Sequence, residues 1–260
     1  MCTKTISYKT QQPAIAADNN IIKQNRKPVL LMGLKVILYC LVLMGILYIT
    51  LLDAQQTVLT DRYSEQAPTE YAQEFSLLSA VLLLYWSAWL FPKQAVVAYL
   101  VGGFLGMAYI REFDAFLDRK VADGAWQVMA YSLAAITAFL VYQLRMNLWK
   151  RLNRFIHTRA FGMFITGMMI VFVYSRLYSD KLIWKAVMGE ENYMYVVTRA
   201  SEEAIELLGY TLILIGTIEY LFTLKIAQTK KHQKQLRNKT RKHKNKIIFT
   251  DNNLKRATEN

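Results

Sequence analysis

Two short stretches hold most of the residues in this chain that could do chemistry. The nine residues REFDAFLDR, 111–119, place Arg111, Glu112, Asp114, Asp118 and Arg119 directly after the uncharged run 94–110. The eight residues RASEEAIE, 199–206, place Arg199, Glu202, Glu203 and Glu206 directly before a second apolar run. On a helix turning about 100° per residue, Arg111, Asp114 and Asp118 share one face, while Glu112 and Arg119 lie together further round. The same geometry gathers Arg199, Glu202, Glu203 and Glu206 on one stripe that continues through Tyr210. Glu206 stands at the edge of its apolar run, where a lone carboxylate is costly and needs a partner. Arg111, Arg176 and Arg199 are the candidates at that depth.

If these acids converge, joined by Glu70 from an earlier acidic segment, their oxygen-only chemistry suits a hard cation such as Ca²⁺, Mg²⁺ or Mn²⁺, with Asp114, Asp118 and Glu206 as candidate ligands. A basic partner would be held by the same charges. Zinc and haem are not expected, because His157, His232 and His243 all fall in basic segments and none has ligand spacing to a cysteine or another histidine. That placement also argues against the histidine-dependent membrane hydrolases of the ceramidase-like kind. No GxSxG, HExxH or P-loop pattern occurs. A purely structural account competes with all of this. Ser201 reads as a helix N-cap that would favour Glu202 and Glu203 in the following turn. It does not reach Glu206, nor Asp114 and Asp118, which the reading places at a helix C-terminus.

The elements that must position these side chains are long and apolar. In 260 residues, 54% hydrophobic and 20% charged, six segments read as transmembrane helices: 29–52, 75–91, 94–110, 125–144, 160–174 and 204–224. The third continues past Ile110 as an amphipathic helix carrying the acids. The fifth is short and extends past Arg176 and Tyr178, while 177–189 reads as a short amphipathic helix on the outer surface. The fold class expected is all-α, a polytopic integral membrane protein.

Orientation follows from Lys and Arg. Segment 1–28, loop 145–159 and the tail after 224 are basic, the tail carrying ten Lys or Arg between Lys225 and Lys246 with no acid. An excess of Lys and Arg marks the cytoplasmic side, so both termini are expected inside, in a bacterial inner membrane. Of the 19 acids, 14 then fall in the three opposite loops, a bias that the positive-inside rule does not produce by itself. The organisation expected is a polar segment 1–28, a six-span domain 29–228 and a basic, unstructured tail 229–260. No signal peptide is visible at the start. Cys2 and Cys40 read as free thiols.

In the tail, Lys230, Lys231, Lys234, Arg237, Lys239, Arg241, Lys242 and Lys244 are expected to meet anionic lipid. Nucleic acid is a poor fit, because no aromatic residue that could stack on bases appears before Phe249. Gly102 and Gly106 form a GxxxG pair for close helix packing within the bundle or, as a minority reading, a homodimer face. Glu219 either points inward, pairs with Lys35, or lines a cation path with Glu206. Three functional readings follow: a binding or scaffold protein whose acids hold a cation or a basic partner, a lipid-modifying membrane enzyme using carboxylates, and a cation carrier.

Overall fold

The computed structural model describes residues 12–55 and 67–258, and these are helices and short connections without a strand. The principal helices are α1 (Gln12–Ala54), α2 (Pro68–Leu90), α3 (Ala95–Glu112), α5 (Ala125–Gln143), α7 (Arg159–Met169) and α10 (Tyr195–Thr258). Between them lie the short helices α4 (Asp114–Lys120), α6 (Leu148–Ile156), α8 (Ser175–Tyr178) and α9 (Lys181–Met188). Five segments are long and apolar enough to cross a membrane: Val29–Ala54, Pro92–Glu112, Ala125–Gln143, Arg159–Tyr178 and Tyr195–Thr240. The expected second span, α2, has the length at 23 residues but is not among the five. Its apolar positions are interleaved with Glu70, Gln73, Glu74, Ser76, Ser79 and Ser87, which lowers its mean hydropathy.

The helices stand side by side in the order α7, α10, α2, α3, α5, with α1 leaning lightly on α10 and α2. The core runs along this row, from Leu77, Leu84, Val97 and Leu105 to Phe164 and Ile213. Among apolar surroundings, hydrophobicity alone does not draw helices together, so contact depends on close backbone approach and interlocking side chains. Glycines allow it. A Cβ at Gly167 of α7 would lie 2.7 Å from the carbonyl oxygen of Gly209 in α10. Gly102 is packed on Leu84 and Tyr85 of α2, and Gly106 meets Leu133 of α5 and Val81 of α2. Both glycines of the GxxxG pair are therefore packed against α2 and α5 within the chain.

Several boundaries differ from expectation. α3 does not run on through the acidic stretch; it ends at Glu112, Phe113 takes a non-helical conformation, and α4 starts a new helix at Asp114. Asp114 is consequently in a first turn, where the helix dipole favours it, and not at a helix C-terminus. α10 begins at Tyr195, so Ser201 is an interior residue donating to the carbonyl of Val197 at 2.9 Å, and it caps nothing. The fifth segment does extend to Tyr178, but through a π turn at Ile170–Tyr174. Loop 145–159 contains an unanticipated helix, α6, which presses Phe155 into the core against Phe161, Phe164 and Tyr220. α9 matches the expected short helix, capped by the Asp180 carboxylate, which accepts from Leu182 N at 2.8 Å.

Beyond Leu224 the same helix carries the basic segment that composition suggested would be unstructured. Lys, Arg and Gln are good helix formers, and no Gly or Pro follows Gly216. Lys230, Lys231, Lys234, Arg237 and Lys239 are exposed along it. Residues 1–11, Cys2 among them, and the side chains of 12–28 and of Arg241, Lys242 and Lys244 lie outside what the structure describes. Cys40 is an exposed free thiol on α1.

Candidate functional site

Because α2 stands between α3 and α10, its N-terminal turns meet the C-terminal end of α3 and the first turns of α10 at one end of the bundle. A cavity of about 580 Å³ opens there. α2 contributes Glu70, Tyr71, Gln73 and Glu74; the α3–α4 junction contributes Arg111, Glu112, Phe113, Asp114, Phe116 and Arg119; α8 contributes Arg176. α10 supplies Tyr195, Arg199, Glu202, Glu203 and Glu206. Seven carboxylates thus face four guanidiniums, with no lysine or histidine on the wall.

At the cavity floor, Glu206 is 5% exposed. Of the three arginines that could reach it, Arg176 does: its Nη2 lies 3.2 Å from Glu206 Oε1, and its Nη1 donates to Glu202 Oε1 at 2.5 Å. Ser175, fully buried, holds its hydroxyl 3.1 Å from Glu206 Oε1 and 2.5 Å from the Val171 carbonyl. The π turn immediately before Ser175 puts both residues on the α10 side. Its i→i+5 bonding adds about one residue to the turn and so changes which face the next side chains occupy. Such turns recur at functional sites.

The remaining walls are cross-linked. Gln73 donates through Nε2 to the Glu203 carbonyl at 2.9 Å and to its Oε2 at 2.8 Å, tying α2 to α10. Arg199 pairs with Glu203 one turn on at 3.6 Å. Tyr210, 1% exposed, donates its hydroxyl to Glu112 Oε1 at 2.9 Å, tying α10 to α3, and Arg111 Nη2 donates to the same oxygen at 3.1 Å. Glu74, at the rim, is held above the ordinary carboxylate range by partial burial and then by the neighbouring Glu112 charge. Below this level the polar lining ends among Leu77, Leu105 and Ile213, all fully buried. Glu219 is committed elsewhere, to the ammonium of Lys35 and to Tyr39 Oη at 2.7 Å. It does not continue a polar file from Glu206.

Of the residues singled out from the sequence, Glu70, Arg111, Glu112, Asp114, Arg176, Arg199, Glu202, Glu203 and Glu206 line this cavity, and Tyr210 braces it from beneath. Asp118 does not. Its Oδ1 accepts from Gly124 N at 3.0 Å, holding the turn into α5, where Gly124 takes a positive φ of 77°. The three proposed metal ligands are therefore not assembled, and among the described residues no group of three or more His, Cys, Asp or Glu side chains could hold a metal ion. Sequence reasoning missed Gln73 and Glu74, whose only signal was their spacing with Glu70 on one face of α2. It also missed Ser175, hidden by the π turn. No family model, curated protein or solved structure matches the chain.

Proposed function

We propose that this chain is a six-span inner-membrane protein with both termini cytoplasmic, and that its acidic cavity, opening on the extracytoplasmic side, binds a small molecule carrying an ammonium or guanidinium group. The observation that carries this reading is the charge balance of the cavity, whose carboxylates outnumber its guanidiniums by three. Its volume falls in the range of small-molecule sites. Tyr71, Phe113, Phe116 and Tyr195 add aromatic faces to the acidic wall, a combination that favours organic cations through both charge and ring quadrupole. A bare divalent ion is a weaker candidate, because its small radius demands converged oxygens. The guanidinium pairs account for Glu112, Glu202, Glu203 and Glu206, so Glu74 and the wall around it would meet the ligand.

Six spans, rather than five, follow if α2 crosses beside α3, to which it runs antiparallel, and α10, to which it runs parallel. The orientation rests on Lys and Arg at the opposite end: Lys93, loop 145–159 and the start of the tail. Neither a hydrolase nor a carrier draws support from a particular feature. Ser175 is sealed beneath Glu206, and the polar lining stops one helical turn below the cavity floor.

The test uses the purified full-length chain in detergent, with thermal unfolding followed against agmatine, spermidine, MgCl₂, CaCl₂ and NaCl at matched ionic strength. Binding to the folded state alone adds about 1.4 kcal/mol at ten times Kd. Agmatine or spermidine should raise Tm in a saturable way beyond the salt controls, and a Glu74→Gln variant should lose most of the shift while keeping its own Tm. Equal shifts with NaCl, or a response confined to Mg²⁺ or Ca²⁺, would overturn the reading.

A further inference from the structure

The opposite end of the bundle carries a second, chemically inverse arrangement. A cavity of about 140 Å³ lies between the 3₁₀ turn Pro92–Gln94 and α6, with Gln143, Asn147 and Arg151 among the residues that line it. No acid lines it. Next to Pro92 in the chain, the exposed Lys93 lies near the exposed Lys231 of α10, and Arg154 of α6 adds a further positive charge acting on Lys231. Three elements separated by long stretches of sequence thus direct positive charge to one place, and the neighbouring lysines repel one another unless an anion lies between or beside them. Exposed aromatic and apolar side chains flank the region: Trp89 at the end of α2, Met146 before α6 and Trp149 within it. Tryptophans in such positions mark the depth of lipid headgroups.

We propose that this basic end holds the headgroup of an anionic phospholipid, its phosphate oxygens accepting from Arg151, Asn147 and Gln143, with Lys93 and Lys231 supplying the adjacent counter-charge. A guanidinium and two side-chain amides lining one cavity are chemically suited to the oxygens of a phosphodiester, and Trp149 and Met146 would lie along the acyl chains. The site differs from general attraction of the tail to a charged surface: it uses residues of the 3₁₀ turn, α5 and α6, and it requires only Lys231 from the tail. It rests on the reading that the bundle crosses a bilayer, but not on the acidic cavity or its ligand.

The experiment reconstitutes the full chain in nanodiscs of phosphatidylcholine with rising fractions of phosphatidylglycerol, which shares its acyl chains and differs in headgroup charge. Thermal stability is measured in the discs, and retained lipid by native mass spectrometry. Phosphatidylglycerol should bind preferentially and raise Tm. Arg151→Gln and the Lys93→Gln, Lys231→Gln pair should each weaken that preference about fivefold or more, on the order expected for each basic contact near a lipid surface. Lys150→Gln, on α6 but outside the cavity, should leave it intact. If Arg151→Gln does not fold, the lysine pair, which is on the surface, still decides. Equal retention of the two lipids, an equal Tm gain from inorganic phosphate in pure phosphatidylcholine, or a preference lost only with the tail after Thr240 would each overturn the proposal. Carbonate extraction of the chain from membranes would signal failure of the bilayer reading itself, and an unchanged agmatine response would show that the acidic cavity stands regardless.

Discussion

At the scale of single residues, Glu206 decides how the acidic cavity should be judged. A carboxylate this buried survives with a counter-charge and a hydrogen bond, and Arg176 and Ser175 supply them. Removing one side of such a pair is worse than neutralising both, because the survivor is left charged in a poor solvent. Arg176→Gln should therefore destabilise the fold by about 2 kcal/mol, below the usual range for fully buried pairs since Arg176 is half exposed and water can replace part of its effect. Glu206→Gln keeps a hydrogen-bonding partner for Ser175 and should cost less than about 1 kcal/mol. Chemical denaturation in detergent gives both values. An equal cost for the two would show that Arg176 is not what compensates Glu206. From the sequence, Glu206 was legible as a charge in need of a partner, but Arg111, Arg176 and Arg199 were equivalent. The choice depends on a π turn that helical periodicity cannot register.

Elements meet here through absences of side chain. The α7–α10 contact closes at Gly167 and Gly209, and a methyl group at either position runs into backbone of the other helix. Gly167→Ala should cost about 1–3 kcal/mol, as overpacked contacts do. Because α7 leads directly into Arg176, the same change should weaken the Glu206 pair. Gly162, on the same helix, has open space where its Cβ would be. Gly162→Ala should be neutral or mildly stabilising by up to about 1 kcal/mol, reflecting helix propensity alone. Melting the two variants side by side separates a packing role from a propensity effect. A Gly167→Ala variant as stable as wild type would mean that the helices do not approach as closely as described.

For the whole molecule the testable quantity is which end faces which compartment. Fusions of a periplasm-active reporter near residues 122 and 190 should be active, and a fusion after residue 228 inactive; an active C-terminal fusion would reverse the orientation and put the acidic cavity in the cytoplasm. Much of the architecture could be read from the chain alone. Long apolar segments are a property of consecutive residues, so the all-helical fold and its membrane-length helices follow from composition in a window. The separation of acids from Lys and Arg is likewise a matter of which loop each residue occupies. Even the stripe of Arg199, Glu202, Glu203 and Glu206 is set by the pitch of one helix.

What required the tertiary structure is everything that depends on which helices are neighbours. The sequence pointed to the ends of α3 and α10 meeting each other; the packing order also brings α2 against both, so Gln73 and Glu74 join the site, while Tyr210 of α10 still reaches Glu112 of α3. Asp114 and Asp118, four residues apart on the same short helix, still have different roles: Asp114 lines the cavity, while Asp118 accepts from Gly124 N in the turn into α5. Local periodicity describes a face within one helix. It carries no information about a break a single residue long, about a π turn that shifts the register, or about the neighbour that a glycine admits, since each is selected by the combined packing of helices distant in sequence.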